Sequence, residues 1–269
     1  QLCGEFNLPP SQLAIVPGNH DLNWRLSRKG YRLMDREDYD GELKEGQYIE
    51  VKDEVIRVRD DDEYKKRFQH FSEFYQDITG NPYPPDYTEQ GILYYIDHLN
   101  LLILGLNSSW KTDHHFKSGA DIHSGAVAQA LDRIRGNDAY RSSLKFAVWH
   151  HPLNSPSDDR ITDHGFMERL AGAGFSVCFH GHIHKSNAEL YRYDIPAGGR
   201  RIEIVGAGTF GAPVREWTPG YPLEYNLLKI TGRTLTVETR CRREPNGAWK
   251  PEAIWSQGPG KDPLPRYTI

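Results

Sequence analysis

The stretch Phe175-Ser-Val-Cys-Phe-His-Gly-His-Ile-His184 joins an apolar run typical of a strand to three histidines. Two other stretches have the same form, Leu13-Ala-Ile-Val-Pro-Gly-Asn-His-Asp21 and Phe146-Ala-Val-Trp-His-His-Pro152. In α/β sheets, ligands bind where the carboxyl ends of strands meet at one edge. We therefore expect the polar ends of these three stretches to share one crevice.

The polar side chains at the three predicted strand ends are of types that bind transition metals. They are Asn19, His20, Asp21, His150, His151, His182 and His184. Neutral imidazole and an amide oxygen suit zinc, manganese or iron, whereas calcium requires more carboxylates. One histidine at a strand end is more often a hydrogen-bonded structural residue, but three such ends in one chain favour a metal site.

The pattern of apolar residues predicts an α/β fold. Runs typical of strands lie at Leu13–Val16, Ile92–Ile96, Leu101–Leu106, Leu144–Trp149, Phe175–Phe179, Ile202–Val205, Leu223–Ile230 and Leu235–Thr239. Between them, apolar residues recur at intervals of three and four over 64–78, 127–134 and 166–171, which is typical of amphipathic helices. Strands alternating with helices predict sheets covered by helices.

Composition excludes several classes of protein. Of the 269 residues, 38% are apolar and 26% are charged, unlike collagen-like, disordered or disulfide-scaffold chains. No apolar run approaches the roughly 18 residues that cross a bilayer, so we expect no membrane partner. The net charge of −4 indicates no particular partner. Three scattered cysteines, Cys3, Cys178 and Cys241, predict a reducing compartment, most simply the cytoplasm.

Taken together, the three polar stretches closely resemble the last three of five motifs of the calcineurin-like metallophosphoesterase superfamily. Gly18-Asn19-His20-Asp21 resembles its Gly-Asn-His-Asp/Glu motif, His150 its single-histidine motif, and Gly181-His182-Ile183-His184 its Gly-His-x-His motif. The resemblance covers positions 11 to about 230. It implies an α/β fold of four layers, an α-β-β-α sandwich of two mixed sheets flanked by helices, with a two-metal site along one edge.

The resemblance also implies a set of metal ligands. Asn19, His150 and His182 would hold one divalent ion, and His184 would help to hold its neighbour. Manganese, iron and zinc are the candidate metals. Two such ions activate a bridging water and neutralise charge on the phosphoryl oxygens.

Three further residues are assigned to the substrate rather than to the metals. His20, oriented by Asp21, would give a proton to the departing oxygen. His151 is interpreted as a residue beside the substrate and outside the metal ligands. The implied activity is metal-dependent hydrolysis of phosphomonoesters or phosphodiesters, with nucleotides and nucleic acid as candidate substrates.

Two motifs of the superfamily are missing. An Asp-x-His and a Gly-Asp-x-x-Asp motif supply carboxylates to its metal site, but this sequence has no Gly-Asp dipeptide. Its two Asp-x-His sequences, at 113–115 and 121–123, follow no apolar strand, so we interpret both as coincidental. One hypothesis places the missing motifs upstream of Gln1. The alternative is a catalytically impaired binding or sensor module of a larger bacterial signalling or defence protein.

The predicted organisation is one domain with an insertion and a tail. Residues 1–244 would form the phosphoesterase domain without its first strands, and 22–90 would be an inserted lid or helical region, where 35–65 carries 13 acidic and 6 basic residues. Residues 245–269, rich in proline and glycine, predict a strap or a linker to further domains. The run Arg240-Cys-Arg-Arg243 favours nucleic-acid binding, although strand-edge protection explains it equally well.

Overall fold

The structure is a computed structural model, and it describes residues 4, 7–155, 158–192, 199–211, 222–232, 234–244 and 246–269. These residues form a mixed α/β protein with three sheets.

The secondary structure elements are numbered in chain order. The strands are β1 (Tyr31–Asp35), β2 (Tyr48–Lys52), β3 (Val55–Arg59), β4 (Gly91–Ile96), β5 (Leu101–Leu106), β6 (Leu144–Val148), β7 (Val177–His180), β8 (Asn187–Arg192), β9 (Arg201–Gly206), β10 (Leu223–Thr231), β11 (Thr234–Arg242), β12 (Lys250–Pro251) and β13 (Arg266–Thr268). The helices are α1 (Trp24–Lys29), α2 (Asp61–Lys65), α3 (Gln69–Thr79), α4 (Ser124–Arg135), α5 (Asp138–Ser142) and α6 (Gly165–Gly172).

The central sheet has six strands in the order β4-β5-β6-β7-β9-β8. Strands β5, β6, β7 and β9 run parallel, while β4 and β8 pair antiparallel at the two edges. Buried parallel strands read as continuous apolar runs, which is why the sequence pattern predicted these strands to within about two residues. Within this sheet, the strand that the sequence pattern missed is the polar edge strand β8, whose residues alternate in exposure.

The two faces of the central sheet are covered differently. Leu102 and Leu104 pack with α4 and α6, which carry the predicted helical stripes at 127–134 and 166–171. The alternate residue, Leu101, packs on the other face against Leu235 and Val237 of a second, antiparallel sheet. That sheet has the order β10-β11-β12, and β13 also pairs with β11. Helices, central sheet and second sheet therefore form three successive layers.

Residues 22–90, which we predicted to be an inserted lid or helical region, contain a small β-sheet as well as helices. Strands β1, β3 and β2 form this antiparallel sheet. In β3, Ile56 and Val58 are buried and alternate with Arg57 and Arg59. Alternation of apolar and charged residues is the pattern of a half-buried strand, and the high charge of the segment concealed it.

The strand predicted over Leu13–Val16 is wrong, because this segment has no ladder partner among the described strands. Its backbone instead meets one side chain of β4. The Tyr94 hydroxyl donates to the carbonyl of Ile15 at 2.9 Å and accepts the Ile15 N–H at 3.4 Å. A hydroxyl that takes both backbone groups of one residue replaces the strand pairing that the apolar pattern predicted.

The C-terminal residues pack against the second sheet. Strands β12 and β13 pair with β11, and Trp255 stacks on Tyr267 with ring centroids 5.3 Å apart. Both rings join the apolar cluster between the two sheets. Among the residues described, no helix has the length and apolar character needed to cross a membrane.

Candidate metal centre

The candidate site lies where three neighbouring strands of the central sheet end. Ser108 follows β5, His150 follows β6, and His182 follows β7. Because these strands are parallel and adjacent, their carboxyl ends lie side by side. The turn at 18–21 reaches this edge from the other end of the sequence.

The turn that presents Asn19 is closed by its own residues. The Asp21 carboxylate accepts the Gly18 N–H at 2.7 Å, and the Asp21 N–H donates to the Gly18 carbonyl at 3.2 Å. A Cβ atom at Gly18 would stand 2.7 Å from Nδ1 of His150. Only glycine lets the turn pack against this imidazole, which explains the glycine of the Gly-Asn-His-Asp stretch.

Three atoms that can each serve as a metal ligand converge where the parallel strands end. The Asn19 Oδ1 atom lies 2.9 Å from Nε2 of His150, and the same Nε2 lies 3.1 Å from Nδ1 of His182. Asn19 and His150 are 131 positions apart in the sequence. An amide oxygen and two imidazole nitrogens at these separations match the donor types that bind zinc, manganese or iron.

A carboxylate determines the tautomer of His182. The Asp159 carboxylate accepts a hydrogen bond from Nε2 of His182, so Nε2 carries the proton and Nδ1 keeps its lone pair. Nδ1 is the nitrogen that faces His150. A carboxylate on the outer nitrogen of a metal-binding histidine fixes ring orientation and raises basicity.

The backbone at the Gly-His-x-His stretch is strained. His182 has φ of 67° and His184 has φ of 54°, in the left-handed region that residues other than glycine rarely adopt. Strain of this kind is concentrated at functional sites.

The hydrogen bonds of Ser108 distinguish His151 from the possible metal ligands Asn19, His150 and His182. The Ser108 Oγ atom accepts the backbone N–H groups of His150 and His151 at 3.2 and 3.0 Å, which uses both of its lone pairs. Its own hydroxyl proton therefore goes to Nδ1 of His151, 2.9 Å away. The proton of the neutral His151 ring must then be on Nε2, a buried donor that has no partner among the described residues. This tautomer makes His151 a hydrogen-bond donor rather than a ligand.

The imidazoles of His150 and His151 are neutral. Burial, followed by the nearby rings of His151, His182, His20 and His184, lowers the pKa of His150 to about 2. Burial, followed by His182, lowers the pKa of His151 to about 3. A neutral ring is the form that coordinates a cation, because the imidazolium form has no lone pair to offer.

The remaining predicted residues surround this cluster. His20 is exposed, and among the residues the structure describes no side chain hydrogen bonds to its ring. The Asp21 carboxylate holds Gly18 rather than His20, and burial raises its pKa. His184 lies close enough to lower the pKa of His150. It is outside the group of three histidines described next.

One nitrogen from each of His150, His151 and His182 lies within 4.8 Å of the other two, and this group could hold a metal ion. The distances include His151 among the possible metal ligands, but its hydrogen bond to Ser108 argues against that role. The amide oxygen of Asn19 is the better third ligand beside His150 and His182. The carboxylates of the two Asp-x-His sequences have partners of their own, although the Asp121 N–H donates to the Ser108 carbonyl at 3.1 Å. Asp113 accepts from Tyr31 and Tyr64 at 2.6 and 2.9 Å, and Asp121 pairs with Lys111.

Sequence patterns missed two residues that shape this site. Ser108 had an available signal, because it follows an apolar strand as the three histidine stretches do. Asp159 had none, since it lies in a loop between β6 and α6 without periodicity. Comparison of the chain with models of known protein families found no match, and a search of curated proteins found none either.

Proposed function

We propose that this protein is a metal-dependent phosphoesterase of the calcineurin-like type. One observation carries the proposal. Where the parallel strands end, Nε2 of His150 lies 2.9 Å from Oδ1 of Asn19 and 3.1 Å from Nδ1 of His182. Asn19, His150 and His182 are the residues that the superfamily resemblance assigns to one metal. They fit a divalent ion because an amide oxygen and two imidazole nitrogens converge, and because the His150 ring is neutral.

The substrate class follows from what surrounds these atoms. Divalent ions supply Lewis acidity at phosphoryl oxygens and an acidified water as nucleophile. The Nε2–H of His151, buried and otherwise unused, donates to a phosphoryl oxygen. His20, exposed at the rim, gives its proton to the departing oxygen as the phosphorus–oxygen bond breaks. Asp159 acts through His182, whose ring it holds.

The proposal extends to the layer arrangement of the fold and to the cellular compartment. We infer the four-layer α-β-β-α sandwich, supported by the three layers of helices, central sheet and second sheet. A reducing compartment such as the cytoplasm is supported by Cys178 and Cys241, the described cysteines, which form no disulfide. Cys3 lies outside the described residues.

The test uses the protein in its full natural chain, loaded with manganese, on bis(p-nitrophenyl) phosphate and p-nitrophenyl phosphate. Asn19→Ala and His182→Ala are expected to lose metal in a calorimetric titration and to lose hydrolysis. His98→Ala is the matched control. His98 is exposed and precedes β5, at the opposite end of that strand from the candidate site. On a dialkyl phosphate, whose leaving alkoxide needs a proton, His20→Ala is expected to lower kcat by roughly 10²–10⁴-fold while metal affinity is retained.

Two outcomes would count against this function. Equal hydrolysis of the dialkyl phosphate by wild type and His20→Ala would remove the proton donor from the mechanism. Metal binding without hydrolysis of either ester would favour the alternative, a binding or sensor module built on the same site. That alternative is favoured by one observation: within the described residues, the candidate metal group contains no carboxylate.

A further inference from the structure

Three aromatic rings form a cluster outside the apolar core. Phe210 and Trp249 are stacked nearly parallel, with an interplanar angle of 2° and centroids 5.3 Å apart. Tyr225 meets Trp249 edge to face at 4.9 Å and Phe210 at 5.6 Å. We call Phe210, Tyr225 and Trp249 the aromatic platform. Its members come from three separate parts of the chain, so only the tertiary fold assembles it.

The aromatic platform is open to solvent. Phe210 is 44% exposed, and Tyr225 and Trp249 are half-buried. None of the three belongs to an apolar core cluster of the described residues. Burial of a ring stabilises a fold, whereas an exposed flat ring is the usual surface for stacking a ligand.

The platform is tethered to the candidate metal centre. Phe210 follows β9, and the Ala207 N–H near the start of that loop donates to the His180 carbonyl at 2.8 Å. Phe210 is three positions after Ala207, so their Cα atoms are at most about 11 Å apart. His180 precedes His182 by two residues. These short chain connections limit how far Phe210 can lie from His182.

Glu224 joins the two sites more directly. Its backbone N–H donates to the Thr209 carbonyl at 2.9 Å, and its buried carboxylate accepts the Ser186 N–H at 2.9 Å. Thr209 precedes Phe210, and Ser186 follows His184 by two residues. A Cβ atom at Gly208 would stand 2.5 Å from that of Glu224, so glycine is needed for this close approach. These hydrogen bonds thus hold the loop that bears Phe210 against the loop after β7 that bears His182 and His184.

Positive charge lies beside the rings. The guanidinium of Arg242 is 5.2 Å from the Trp249 centroid, and its Nε is buried without a partner in the described part of the chain. In contrast, Arg240 pairs with Glu238, and Arg243 pairs with Glu252. Of the arginines in the run 240–243, Arg242 is the one for which no carboxylate partner is seen in the described residues, and it stands at the platform.

We propose that the aromatic platform binds the base of a nucleoside phosphoester whose phosphate occupies the candidate metal centre. The base stacks on the exposed Phe210 ring, and Arg242 lies beside it. Stacking of a base on an aromatic side chain tolerates any base, since each has a π-face. This inference rests on the proposed function for the phosphate, and it narrows the substrates to esters that carry a nucleoside.

The test compares two diesters with the same leaving group, thymidine 5′-(p-nitrophenyl phosphate) and methyl p-nitrophenyl phosphate, on the manganese-loaded full chain. Phe210→Ala is expected to lower kcat/KM for the thymidine ester about tenfold more than for the methyl ester. Phe210→Tyr should restore the preference and Phe210→Leu should not. Phe74→Ala is the control, because Phe74 is 51% exposed on α3 and lies outside the platform.

Equal losses on both diesters, or none, would overturn the platform while leaving the phosphoesterase in place. If wild type hydrolyses neither ester, the proposed function fails and the platform is judged by binding of thymidine 5′-monophosphate in a calorimetric titration. Weaker binding by Phe210→Ala than by Phe74→Ala supports the platform. Equal binding by both overturns it.

Discussion

The Ser108 hydroxyl and Nδ1 of His151 lie 2.9 Å apart, although 43 positions separate the two residues. Because Ser108 already accepts two backbone N–H groups, this contact places the ring proton of His151 on Nε2. One serine at the end of β5 thereby determines what the histidine after β6 can do. It makes His151 a hydrogen-bond donor, which we propose serves substrate oxygens, and leaves metal binding to Asn19, His150 and His182 in the same proposal.

Replacement of Ser108 tests this tautomer. Ser108→Ala leaves two backbone N–H groups and Nδ1 of His151 without their partner, so we expect a loss of about 1–3 kcal/mol in the free energy of unfolding. The mixed tautomers should also lower kcat about tenfold, as is typical of losing one donor or its orientation. Nitrogen NMR of the His151 ring reports the tautomer directly.

Ser109→Ala is the matched control for Ser108→Ala. The Ser109 hydroxyl is buried and has no hydrogen-bond partner among the described residues, so its removal should be neutral or stabilising. Retention of the Nε2–H tautomer in Ser108→Ala would refute the role given to Ser108.

Asp159→Asn tests the positioning of His182. Loss of the carboxylate weakens the hold on the Nε2 proton, so the ring can rotate or change tautomer. We expect metal affinity to fall roughly 10–100-fold, as for other carboxylates that orient metal-binding histidines. A calorimetric metal titration measures this. Asp158→Asn is the control, because Asp158 is adjacent and exposed; equal affinities in both variants would contradict the prediction.

Gly18→Ala tests the packing of the turn on His150. The added methyl group stands 2.7 Å from Nδ1 of the ring, so either the turn or the imidazole must move. We expect loss of metal binding together with displacement of the His150 ring resonances. In Gly136→Ala the nearest atom is 3.5 Å away, so that variant should bind metal normally. Unchanged metal affinity in Gly18→Ala would show that the close packing is not required.

Asp113 is hydrogen-bonded to Tyr31 and Tyr64, which lie in the segment 22–90. Its negative charge should make the stability of the fold depend on pH. Burial alone would raise its pKa, but hydrogen bonds from Tyr31, two backbone N–H groups and Tyr64 lower it below 3.8. The unfolded chain therefore binds the proton more tightly than the folded one. The stabilisation is complete above the unfolded pKa and is lost as pH falls through the folded pKa.

Urea unfolding from about pH 5 down to about pH 2 measures this effect. Wild type should lose stability more steeply than Asp113→Asn over that range. Tyr31→Phe should cost about 1.5–3 kcal/mol at neutral pH, the usual value for a hydrogen bond to a charged group. Tyr48→Phe, in the same small sheet, is the control, because no hydrogen bond of its hydroxyl is seen in the described chain. Parallel acid limbs for wild type and Asp113→Asn would contradict the prediction.

The sequence predicted the central strands because burial on both faces leaves an apolar run that needs no long-range information. It missed the small sheet of the insertion, where Arg57 and Arg59 alternate with buried residues and a net negative segment looks like a loop. It overpredicted a strand at Leu13–Val16, because an apolar run cannot show whether a partner strand lies beside it.

The sequence by itself determined which side chains stand at the ends of β6 and β7 and in the turn at 18–21. Only the tertiary structure decided which ring nitrogen of each histidine carries the proton. The partners that decide it, Ser108 for His151 and Asp159 for His182, come from other segments, 43 and 23 positions away. Local pattern records the burial of a residue, whereas the tautomer of a histidine depends on hydrogen bonds that form only when distant segments meet.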